Sequence, residues 1–192
     1  MNDINFPLVG LAGFKRSGKD TIARALVAHY GYYQAAFADA LRLEVHEIDG
    51  VAPVPDELKD APLSERDGTT YRDLLIRRGM ARRAEDPAYW IKALNVALGA
   101  RLYAGVRIVI SDVRLPNEME WIKSAGGLTV WVRRDGIRSS GHATEQDNSG
   151  ACDFTIHNDG SHPTLLAVRL VRMVGICQLN AHTHAALAAA EC

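Results

Sequence analysis

The run Gly13-Phe14-Lys15-Arg16-Ser17-Gly18-Lys19-Asp20-Thr21 carries the most chemistry in this 192-residue chain. It sits between an apolar run, Leu8 to Ala12, and a segment in which Ile22, Ala23, Ala25, Leu26 and Val27 recur with helical spacing. A strand, a glycine-rich turn and a helix in that order form a phosphate cradle. The two glycines let the backbone curl so that successive N–H groups face phosphate oxygens, the helix N-terminus adds partial positive charge, and Lys19 reaches the outer phosphates. Gly13, Lys15, Arg16, Ser17, Gly18, Lys19, Asp20 and Thr21 are therefore the expected nucleotide-binding residues. Asp20 stands where a Ser or Thr hydroxyl usually meets magnesium; it either holds the metal, directly or through water, or complements the helix dipole.

Four further constellations have the right residue types. Val106 to Ile110 reads as a strand ending in Ser111-Asp112-Val113-Arg114. At the carboxyl end of a parallel strand, Asp112 can reach the cradle's magnesium or cap a turn, and Arg114 can clamp a substrate phosphate or face solvent. Phe37-Ala38-Asp39-Ala40-Leu41-Arg42 places Asp39 to orient an acceptor group, to cap a helix, or both, with Arg42 beside it. Arg72, Arg77, Arg78, Arg82 and Arg83 stud one helix whose spacing cannot turn all of them to one ligand. Arg72 is assigned to the acceptor and the rest to solvated charge. Tyr71 and Trp90 can stack on a base or belong to the core. Residues 133–150 form a polar stretch that reads as a lid carrying Arg134 and Arg138 over the phosphates, or as a flexible loop. Asn158-Asp159-Gly160-Ser161 makes a tight turn that can border an adenine, or serve only as a turn and helix cap.

The elements that must position these residues alternate between strand and helix. Strands are expected at Leu8–Ala12, Tyr32–Ala38, Val106–Ile110, Leu128–Val132 and Phe154–Ile156, and helices after the cradle, from Asp39, over Thr69–Arg83, from Asp86-Pro87 to Tyr103, from Pro116 to Ile122 and from Pro163 to Leu179. That alternation predicts an α/β fold, a mostly parallel sheet covered on both faces in three α/β/α layers. One domain spans residues 1–180, with 133–150 as candidate lid and 181–192 as a tail in which His182 and His184 do not share a helix face.

Composition narrows the class. Hydrophobic residues make up 47% of the chain, with no apolar run of membrane-spanning length, and the acidic start Met1-Asn2-Asp3-Ile4-Asn5 does not read as a signal peptide. The expectation is a soluble cytoplasmic protein. A formal charge of −1 gives no electrostatic reason for nucleic-acid binding. The 22 basic residues divide into 17 Arg and 5 Lys, an excess that suits forked phosphate contacts and also fits an alanine- and arginine-rich composition. Cys152, Cys177 and Cys192 form no Cys-x-x-Cys pair and read as buried thiols. An apolar patch for a homodimer on the last helix is not separable from core by periodicity.

Taken together, Lys15-Arg16-Ser17-Gly18-Lys19-Asp20-Thr21, Phe37 to Arg42, Ile110-Ser111-Asp112-Val113-Arg114-Leu115-Pro116-Asn117-Glu118, His142-Ala143-Thr144-Glu145 and Asn158 to Ser161 resemble the phage-type deoxynucleoside monophosphate kinases over nearly the whole domain. The Gly-Lys-Asp ending explains Asp20 as a family trait. The resemblance implies an adenylate-kinase-like fold and transfer of the ATP γ-phosphate to a deoxynucleoside 5′-monophosphate with Mg2+. Lys19 would then act on the phosphates, Arg42, Arg72 and Arg114 on the acceptor, and Arg134 and Arg138 in the lid. Animal-type phosphomevalonate kinase is similar in its Lys-Ser-Gly-Lys-Asp loop and Ser-Asp-x-Arg segment and implies a small phosphate monoester as acceptor. A slow nucleotide-binding module is a third reading.

Overall fold

The computed structural model describes residues 8–63, 67–139 and 146–175. The chain forms two compact units, one comprising residues 8–35 and 100–175 of the described chain and the other its inserted segment Ala36–Gly99.

The first unit is built on a five-stranded sheet: β1 (Leu8–Ala12), β2 (Tyr33–Ala35), β3 (Ile108–Val113), β4 (Leu128–Arg134) and β5 (Phe154–Asn158), in the order β2-β3-β1-β4-β5. Every neighbouring pair is parallel. Such strands need crossover connections, and helices supply them. β1 is buried along its whole length, as a central strand between β3 and β4 must be. Its residues divide by parity. Val9 and Leu11 join Val109, Val130, Val132 and Ile156 in a core packed against α1 (Lys19–Tyr30) and a helix over 163–175, here α6, through Ile22, Leu26, Leu166 and Leu170. On the opposite face Gly10 makes room for α5 (Pro116–Ser124): a Cβ there would come within 2.5 Å of Ile122 Cδ1. The α/β/α layering expected from the alternation is the observed one.

The second unit contains α2 (Phe37–Asp49), α3 (Tyr71–Glu85) and most of α4 (Tyr89–Tyr103). Its own small core is formed by Val45, Tyr71 and Leu74. The second strand is shorter than the span Tyr32–Ala38 suggests. Only three residues pair at this sheet edge, and the helix already starts at Phe37. Asp39 is accordingly not the N-cap; it is the third helical residue, and its Oδ2 accepts from the Ala36 N–H at 2.9 Å.

No helix among the described residues is long and apolar enough to cross a membrane. His142 to Glu145, Cys177, Cys192, His182 and His184 lie outside the described residues.

Candidate active site

The loop between β1 and α1 curls because its backbone does what its sequence permits. Gly13 takes φ 138° and Gly18, the N-cap of α1, φ 103°. A side chain at Gly13 would lie 2.5 Å from the Val132 carbonyl oxygen, so this residue is pressed against β4. Between them Arg16 holds a left-handed φ of 67°, and the Ser17 N–H donates to the Phe14 carbonyl at 3.1 Å. The loop is anchored from below: Trp131, 5% exposed, meets Phe14 edge-on with ring centroids 5.3 Å apart.

Lys19 arches back over this curl and donates from Nζ to the carbonyls of Gly13 at 2.6 Å and Phe14 at 2.8 Å. It borders two depressions. One is lined by Gly13, Phe14, Lys15, Lys19, Val113, Arg114, Trp131 and Gln146, the other by Arg16, Gly18, Lys19, Asp20, Thr21, Arg24 and Arg134. The charged residues lining the first are all cations, and four of the five lining the second are, the sign that an anion requires. Ser17 is 1% exposed, and its Oγ has no hydrogen-bond partner among the described residues. A buried orphan hydroxyl costs about 1–3 kcal/mol, and such costs concentrate at functional loops.

β3 delivers the next group of residues. Val113 is in register with Ala12, which sets Asp112 beside the point where β1 enters the loop. Ser111, before it, is 3% exposed and accepts from Gln34 Nε2 at 3.0 Å. The Arg114 backbone is fixed by buried Glu118, whose carboxylate accepts from the N–H groups of Arg114 at 2.8 Å and Leu115 at 3.0 Å. Its exposed side chain borders the first depression. β4 contributes Arg134 to the second, while Arg138 is exposed beyond the turn that follows the strand.

The turn after β5 is tied inward. Asn158, 8% exposed, donates from Nδ2 to the Ser17 carbonyl at 2.8 Å. Asp159 accepts from the Ser161 N–H at 2.9 Å and pairs with Arg169 at 3.0 Å, contacts that hold its carboxyl far below the usual carboxylate range. Of the three cysteines only Cys152 is described, and burial pushes its thiol up to about 11.

In the second unit the assigned residues are already engaged. Asp39 and Arg42 pair at 2.8 Å. Arg72 forks onto Asp60 through Nε and, at 3.2 Å, through a terminal nitrogen. Trp90 is 2% exposed and donates to the Gly79 carbonyl at 3.3 Å; Tyr71 is fully buried. Neither ring has a face open to a base, so the core reading of both is the observed one. The remaining arginines of α3 are not all solvated charge. Arg82 bonds Glu44 at 2.8 Å, and Arg78 pairs with Asp49 at 3.2 Å, fastening α3 to α2.

No family model matches the chain. Over 196 aligned residues, covering 92% of this chain and 89% of the relative, it is 26% identical to a protein of Acanthamoeba polyphaga mimivirus that carries the provisional name deoxynucleotide monophosphate kinase. Dephospho-CoA kinase from Campylobacter jejuni superposes with a TM-score of 0.53 at 10% identity, covering 90% of this chain and 98% of that one. Shikimate kinase from Aquifex aeolicus gives 0.52 at 16% identity with the same coverages. The chain shares the fold of these two kinases. The likeness that the motifs suggested therefore extends, in a viral relative, over nearly the whole chain.

Several residues around this loop carried no sequence signal of their own. Arg24 follows Asp20 by one helical turn and donates to its carbonyl at 3.3 Å, yet looks like any surface arginine of α1. Gln146 lies in the polar stretch 133–150, which the sequence marks as a whole and not residue by residue, while Gln34 and the Trp131–Phe14 contact depend on strand register. The metal donors are sparse: no group of three or more His, Cys, Asp or Glu side chains among the described residues could cage an ion. Mg2+ does not need a cage. It keeps several waters and takes one or two carboxylates together with substrate phosphates; Asp20 is the carboxylate that lines the second depression, and Asp112 lies near the end of β3.

Proposed function

We propose that the chain is a magnesium-dependent kinase that transfers the γ-phosphate of ATP to a deoxynucleoside 5′-monophosphate. The observation that carries the kinase reading is Lys19, donating across a curled loop at the carboxyl end of β1 and bordering two cation-lined depressions. In this reading the loop amides and Lys19 hold the ATP phosphates, Asp112 and Asp20 hold Mg2+ or its waters, and Arg134 and Arg138 neutralise charge that spreads over the transferred group. Arg114, Asp39, Arg42 and Arg72 are the residues assigned to the acceptor. When bound, the metal would supply neutralisation of phosphate charge; the protein supplies position and exclusion of water.

The acceptor is chosen by the name of the viral relative. One observation favours a second reading. Because Tyr71 and Trp90 are buried, the two rings that would have argued for a base do not do so. A small phosphate monoester of the phosphomevalonate kind is therefore the rival acceptor.

Coupled ADP release with ATP and Mg2+ against dTMP, dGMP, dCMP, dAMP, their ribose counterparts and phosphomevalonate separates these readings. Turnover confined to deoxynucleotides supports the proposal. Turnover with phosphomevalonate alone replaces it, and no acceptor-dependent ADP production leaves a nucleotide-binding module.

A further inference from the structure

We propose that Asn158 is a positioning residue that sets the phosphate loop rather than a contact for the adenine. The inference rests on the proposed reading of that loop as an ATP-phosphate site. Asn158 closes β5, 141 residues from its partner, and its amide is used at both ends. Nδ2 donates to the Ser17 carbonyl at 2.8 Å, while Oδ1 accepts from the Gly160 N–H at 3.2 Å. The tight turn through Gly160 thus fixes which way the amide points, because the atom facing Gly160 must accept and the atom facing Ser17 must donate.

Gly18 explains why the amide fits. A Cβ on this residue would lie 2.4 Å from Asn158 Nδ2, so the side chain of Asn158 occupies the space that any residue other than glycine would fill. The amide lies against the Ser17–Gly18 peptide. In a planar trans peptide the C=O and N–H point in opposite directions. Holding the Ser17 carbonyl toward β5 therefore aims the Gly18 N–H away from β5, and fixes the peptide that leads directly into Lys19. The bond is buried, where a hydrogen bond is strong and an unpaired carbonyl is costly.

A second contact of the same residue makes it more than a brace. Asn158 is the register partner of Arg134 on β4, and Arg134 lines the depression shared with Gly18 and Lys19. One residue thereby registers the loop amide and the strand arginine that face the same anion. Its effect should appear in the binding of phosphates, whatever base is attached.

The test uses the full chain with Asn158→Ala and Asn158→Asp, the latter matching the shape of the native side chain but placing a carboxylate oxygen against the Ser17 carbonyl. Binding of Mg-ATP and of Mg-tripolyphosphate, which has no base, is measured by calorimetry, together with the KM values and the melting curve. Both ligands are expected to weaken by the same factor, about tenfold for Ala and more for Asp, with the KM for ATP raised and the KM for the acceptor unchanged. Loss of ATP binding with tripolyphosphate binding retained would show an adenine contact and overturn the inference. Unchanged affinity for both, with only a lower melting temperature, would reduce Asn158 to a structural residue and also overturn it. If the wild-type chain binds neither ligand, the phosphate-loop reading itself falls. Should Asn158→Ala melt below the assay temperature, wild type and variant are compared at a lower temperature at which the melting curve shows both folded.

Discussion

Lys19 Nζ donates to the carbonyl oxygen of Gly13 at 2.6 Å, closing the phosphate loop with the same ammonium group that the proposed chemistry needs at the outer phosphates. Gly13, Phe14 and Lys19 lie on one short curl, so removing the lysine side chain takes its charge from within the loop. Lys19→Ala should leave the melting curve close to that of the wild type and lower kcat/KM for ATP at least about a hundredfold, the scale of losing one preorganised donor to developing negative charge. Wild-type-like turnover in the folded variant would remove Lys19 from the reaction.

Asp112 separates a metal role from a turn-capping one. A carboxylate that holds Mg2+ or its waters contributes through charge, and Asn keeps the shape while removing that charge. Asp112→Asn should raise the Mg2+ concentration for half-maximal rate about tenfold or more and lower the rate at saturation. A rate loss with the wild-type Mg2+ dependence would assign Asp112 to positioning of the neighbouring backbone instead.

The sheet and the loop were legible because both are local patterns. Leu8 to Ala12 is a continuous apolar run, and Gly13, Gly18 and Lys19 have fixed spacing on one stretch of chain. What could not be read depends on contacts across sequence. Asn158 looks like a turn residue until β5 is placed in parallel with β4, when its amide reaches Ser17. β2 ends at Ala35, short of the expected Ala38, because alanine is tolerated at a sheet edge while its helical preference starts α2 at Phe37 once Asp39 can accept the Ala36 N–H. Trp90 and Tyr71 show the same limit from the other side: an amphipathic pattern assigns a ring to a helix without saying what covers it.

Glu44 is the joint of the second unit. Its carboxylate accepts from Arg82 Nε and from the Tyr89 hydroxyl, each at 2.8 Å, with Arg78 at 3.9 Å, and its side chain is only 12% exposed. Glu44→Ala removes the acceptor on α2 that α3 and α4 share, leaving Arg82 to Glu85 and Arg78 to Asp49. The urea midpoint should fall further in Glu44→Ala than in Glu85→Ala. Glu85→Ala, which removes an exposed partner of the same Arg82, should change stability by under about 1 kcal/mol. The Tyr89 phenol, held above its ordinary pKa mainly by its bond to Glu44, should titrate at lower pH in Glu44→Ala. Equal effects of the two substitutions would show that Glu44 is not the joint.

Asp153 gives the first unit a defined acid sensitivity. Its Oδ2 accepts from both the N–H and the hydroxyl of Thr129 at 2.8 Å, and its Oδ1 pairs with Lys123 at 3.2 Å, tying β4 and α5 to the start of β5. Burial alone would raise this carboxyl, but the two Thr129 bonds and the Lys123 charge outweigh it and hold the group below the usual carboxylate range. The folded state therefore binds this proton less readily than the unfolded chain, in which an aspartate titrates near pH 3.9. Its contribution is complete above that value and is lost as pH falls through the lower, folded pKa. Melting temperatures of the wild type should fall across this acidic window. Asp153→Asn should be less stable near neutrality and flatter below about pH 4, so that the two curves converge as pH falls. Parallel curves would mean that the carboxylate charge contributes nothing to holding these elements together.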